Sequence, residues 1–98
     1  MKGFFNFGTP SDLDLSKFIT DLKNTLRHEF KTYKVDIKIL DILPDLILQL
    51  TTGKDKMIRV LSIEVSIPDV DSFDEENNAA FKRVVKGFKE KGVFFIER

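Results

Sequence analysis

The stretch from position 44 to 66, PDLILQLTTGKDKMIRVLSIEVS, decides how this chain is read. One apolar run opens at Pro44-Asp45 and breaks around Gly53-Lys54, and a longer one resumes and stops before Pro68. Apolar runs bounded by turn residues read as strands, so 46–50 and 57–67 are expected to pair across a hairpin loop at 51–56. The longer run holds one carboxylate, Glu64, between Ile63 and Val65. An unpaired buried carboxylate is costly, so Glu64 calls for a cation, a metal, a raised pKa or a place at a wet strand end. Period two puts Ile58, Val60, Ser62, Glu64 and Ser66 on one face, with Arg59, Leu61, Ile63, Val65 and Ile67 on the other.

Upstream, Ser11 with Asp14 three positions later resembles a capping box. Leu15, Phe18, Ile19, Leu22, Leu26 and Phe30 then recur at helical spacing, which predicts a helix to about Phe30. At about 100° per residue, Glu29 falls inside that apolar stripe and His28 on the wet side. Glu29 either frays outward, pairs with a lysine, or serves a site. Tyr33, Val35, Ile37 and Ile39 alternate with charged residues and predict a half-buried strand. Downstream, Ser72 with Glu75 reads as a second capping box, Phe81, Val84, Val85 and Phe88 as a helical stripe, and Gly92 as its C-cap. Residues 93–96 then form a last strand, joined to the preceding one by a right-handed crossover between parallel strands.

The expected order is therefore αβββαβ: a single small α/β domain over 11–98, with a four-stranded mixed sheet flanked by helices. It becomes α+β if the helices share a face. Residues 1–10, with Phe4, Phe5 and Phe7, read as an aromatic arm packed on a sheet edge or across a two-fold interface.

Composition narrows the function classes. The 98 residues are 42% hydrophobic and 33% charged, which is globular and not disordered. Sixteen basic and sixteen acidic residues cancel, so no global field draws the chain to nucleic acid or anionic membrane. Without cysteine there is no disulfide framework, thiolate metal site or thiol nucleophile. The start, MKGFFNFG, has no sustained apolar segment of the signal-peptide kind, and the expected location is cytoplasmic.

In this order of elements, Pro44-Asp45 before one strand and Glu64-Val65-Ser66 on the next resemble the motif of the PD-(D/E)XK nuclease-like superfamily. Glu29 is similar to the glutamate that many members carry on the first helix. The resemblance implies that Asp45 and Glu64 ligate Mg²⁺ or Mn²⁺, whose hard oxygen ligands suit them. Glu29 would assist, and the metal would activate a water against a phosphodiester. Ser66 occupies the motif lysine's position, with Lys82 or Lys86 as substitutes, so the resemblance implies a domain of weak or no catalysis that contacts nucleic acid. Independently of it, Lys82, Lys86 and Lys89 form a stripe suited to a phosphate backbone, or simply complement a helix C-terminus. The acids of 69–76 lack the glycine and final glutamate of a calcium loop and read as solvated. The other expected function is a non-catalytic module that binds a partner protein or forms a homodimer.

Overall fold

The computed structural model describes residues 1–44 and 58–96. Asp45, the strand expected at 46–50 and the loop expected at 51–56 lie outside the described residues.

The segment KGFFNFGTP is not an arm. It forms β1 (Lys2–Pro10), followed by α1 (Leu15–Phe30), β2 (Asp36–Pro44), β3 (Ile58–Ser66), α2 (Glu75–Lys86), a 3₁₀ turn (Lys89–Lys91) and β4 (Phe94–Phe95). The order is thus βαββαβ, a correction of the expected αβββαβ. In the sheet the strands lie β2-β3-β1-β4, and every neighbouring pair is antiparallel, which corrects the expected mixed sheet. β3 and β4 do run parallel, but β1 lies between them; β1 and β2 are likewise separated by β3. This is the split βαβ, or ferredoxin-like, arrangement. No helix among the described residues is long and apolar enough to cross a membrane.

Alternation explains β1. Phe5, Phe7 and Thr9 point to the helices, opposite Ile63, Leu61 and Arg59 of β3, while Phe4 and Asn6 point away. Phe7 is fully buried, with its ring centre 6.3 Å from that of Phe18 on α1, 6.5 Å from Phe81 on α2 and 5.0 Å from Phe95 on β4. Both helices therefore cover the same face, joined by Phe18 against Phe88 at 5.1 Å, and the α+β alternative holds. On the opposite, open face Gly8 lets the Phe94 ring lie across the strand, since a Cβ there would come within 2.2 Å of that ring.

The helix boundaries differ from the capping-box reading. Asp14, not Ser11, caps α1 by accepting the Lys17 amide at 3.2 Å, and Asp74, not Ser72, caps α2 through the Asn77 amide at 2.8 Å. α2 ends at Lys86, before Gly87; Gly92, at φ 82°, closes the short 3₁₀ turn instead. β2 starts at Asp36 and runs to Pro44, past the expected end at Ile39, so Pro44 belongs to it.

A bulge sets the faces of β2. Ile39 pairs with Ile63 and Asp41 with Ser62, leaving Leu40 as the extra residue. Strict alternation would turn Asp41 toward the helices. The extra residue shifts the phase, so Ile37, Ile39 and Ile42 share the helix face, and Asp36, Lys38, Asp41 and Leu43 share the open one.

Because β1 is central, deleting residues 1–8 should abolish cooperative unfolding. Phe7→Ala should cost about 3–5 kcal/mol and lower the melting temperature by more than about 12 °C. A truncated chain that melts like the intact one in circular dichroism would contradict the central placement of β1.

Candidate functional site

Of the sequence-derived acids, Glu29 and Glu64 lie on opposite sides of the sheet. Glu64 stands on the open face, opposite Phe4 of β1 and Lys38 of β2, and its carboxylate lies 3.6 Å from the Lys2 ammonium. That neighbour and the half-exposed position answer the question raised by an acid inside an apolar run. Glu29 lies at the end of α1 on the other side of the sheet, where Arg83 of α2 approaches it at 3.3 Å. Asp45 is outside the described residues. Among the described residues, no three His, Cys, Asp or Glu side chains gather closely enough to hold a metal ion.

The expected lysine stripe is on the surface. Lys82 and Lys86 are exposed on α2, and Lys89 is exposed in the 3₁₀ turn. Lys82 also lines a groove of about 490 Å³ with Phe4, Phe5, Asn6 and Asn78, at the margin of β1. Ser66, in the motif lysine's place, pairs with Lys2 and Asp36 in the sheet register.

The open face mixes charges. Lys2 and Lys38 stand among Asp36, Asp41 and Glu64, and Ser62 donates to Asn6 Oδ1 at 2.6 Å. A phosphate backbone is drawn by an excess of cations, which this face does not have. The conspicuous exposure is apolar, on the open face and along both faces of β2. Phe4 is 69% exposed, and β2 exposes Ile39 at 39%, Leu40 at 45%, Ile42 at 39% and Leu43 at 55%. β2 is also a sheet edge: among the described residues, no strand pairs with its outer side. An edge strand presents backbone donors and acceptors to any incoming strand. Here that ladder is flanked by apolar side chains on both faces. The sequence did not disclose this site, because the exposure of Leu40 and Leu43 depends on the bulge and the strand order.

A second surface lies where α1 runs into β2. Asn24, Arg27, His28, Lys31, Thr32 and Tyr33 line an open depression of about 570 Å³, and Tyr33 is 89% exposed. Arg27 is committed to structure, donating from Nε to the Tyr33 carbonyl at 3.2 Å. The cations here face the carbonyl end of α1, which favours positive charge. Next to it, Thr32 donates to Asp69, and Lys34 lies 3.6 Å from the same carboxylate. No family model and no curated protein matches the sequence.

The hydroxyl of Thr32, and then the Lys34 charge, hold the Asp69 carboxyl below its ordinary pKa. A depressed carboxylate pKa stabilises the fold above the unfolded value and loses that effect as pH falls through the folded value. Asp69→Asn keeps an acceptor for Thr32 but removes the charge. It should melt slightly below the wild type near pH 7, with the gap closing below roughly pH 4. A gap independent of pH in thermal melts would refute the ionic contribution.

Proposed function

We propose that this chain is a non-catalytic interaction module that works through the outer edge of β2. The observation carrying the reading is the row Ile39, Leu40, Ile42 and Leu43, exposed along a strand whose outer edge no described residue pairs. Long apolar edges are a liability that proteins normally cover or break with charge. Strand addition to an exposed edge supplies main-chain hydrogen bonds, with alternate side chains giving specificity. Exposed apolar area of this kind also marks contact surfaces.

A nuclease-like role in contact with nucleic acid, with Mg²⁺ or Mn²⁺ held by Asp45 and Glu64, has less support. Glu64 already has Lys2 beside it, Glu29 is across the sheet, and Ser66 brings no cation.

Two measurements separate these readings. At a concentration low enough for the wild type to be monomeric, Leu40→Ser with Leu43→Ser should leave the melting temperature within about 4 °C of the wild type, a change of no more than about 1 kcal/mol. A much larger loss would place those side chains in the core and end the interaction reading. Incubation with Mg²⁺ or Mn²⁺ and single- or double-stranded DNA or RNA should give no cleavage. Cleavage that disappears in Glu64→Ala would restore the nuclease.

A further inference from the structure

The β2 edge has a sequence complementary to itself, and we propose that its occupant is a second copy of this chain, paired antiparallel along β2 about a two-fold axis. This inference rests on the reading of that edge as the interaction surface. It goes further in naming the partner and the register.

Directly opposed residues of an antiparallel pair project to the same face. That requirement, with the bulge, leaves few registers. Setting Asp36 of one copy against Asp41 of the other opposes like charges. Moving the copies the other way sets Lys38 against Leu43 and draws Pro44, which has no N–H, into the ladder. The register between them opposes no like charges and leaves Pro44 outside the ladder. Asp36 meets Leu43 and Lys38 meets Asp41 on the open face, Ile37 meets Ile42 on the helix face, and Ile39 meets Leu40 at the axis. Each of these contacts occurs twice, because the interface is isologous.

Without the bulge, Lys38 and Asp41 would lie on opposite faces of β2, since their spacing is odd. Leu40 is the insertion that puts both on the open face, where a copy can bring them together. Within one chain, neither Lys38 nor Asp41 makes an ion pair with a described residue, although Glu64 stands directly opposite Lys38 in the register. Asp41 Oδ1 accepts the Ile42 amide at 2.9 Å, which keeps the carboxylate alongside the strand. The paired sheets would form one continuous sheet with both helix layers on the same side, as a two-fold axis normal to the sheet requires.

The experiment is a charge reversal on the full chain, read by sedimentation equilibrium with circular dichroism to check folding. The wild type should dimerise reversibly. Lys38→Asp and Asp41→Lys should each raise the dimer dissociation constant at least about 10-fold, as close charge pairs at interfaces do. The double variant should recover to within about 3-fold of the wild type. A wild type that is monomeric throughout the accessible concentration range overturns the proposal, and so do single reversals that leave the dimer unchanged or a double variant that fails to recover. None of these outcomes touches the broader reading of β2 as an interaction edge. That reading is tested separately, by the serine variants at Leu40 and Leu43 and by the cleavage assay.

Discussion

The ladder between β1 and β3 is the joint that everything else is built on. It pairs nine residues of the first strand, from Lys2 to Pro10, with Ser66 back to Ile58. Phe7, in the middle of it, touches the aromatic rings of both helices and of β4. Burying such a ring stabilises the fold by roughly 1.5–3 kcal/mol, but its location matters more than its size. With Phe7 in place, α1 and α2 have a common floor. Arg59 extends the joint by donating to the carbonyls of Pro10 and Leu13, which fixes the turn into α1.

Both helices were legible because their stripes are long and regular. Leu22, Leu26, Phe81, Val84 and Val85 are buried as their spacing requires. The caps were displaced because Ser11 and Ser72 compete with Asp14 and Asp74, all short side chains able to accept a backbone hydrogen bond. β1 was hidden by its own residues. Phe4 breaks the alternation by being apolar on the open face, and Gly3, Gly8 and Pro10 look like loop signals. Only the Phe94 ring over Gly8 explains why a glycine belongs there.

β3 is apolar on both faces although both helices cover one side of the sheet. The reason is local. Ile58 and Val60 are buried on the open face, while the same face turns polar toward Ser62, Glu64 and Ser66. Glu29 and Glu64 fall on the elements expected for them, α1 and β3. What could not be read was which side of the sheet each element occupies, since that depends on strand order, a property of pairings far apart in the chain. The same holds for β2, where one extra residue decides which side chains share a face.

The central position of β1 also shapes how the chain is made. Phe7 and its partner Leu61 are 61 − 7 = 54 positions apart. Between them, α1 and the whole of β2 emerge without the strand that joins β1 to β2. At about 5–20 residues per second of synthesis, the phenylalanines of β1 wait roughly 3–10 s for β3. During that interval an apolar, strand-forming segment with little charge is exposed. Helix α1 is ready much sooner and is amphipathic, so Phe18 and Leu22 can shelter Phe7 before any strand arrives.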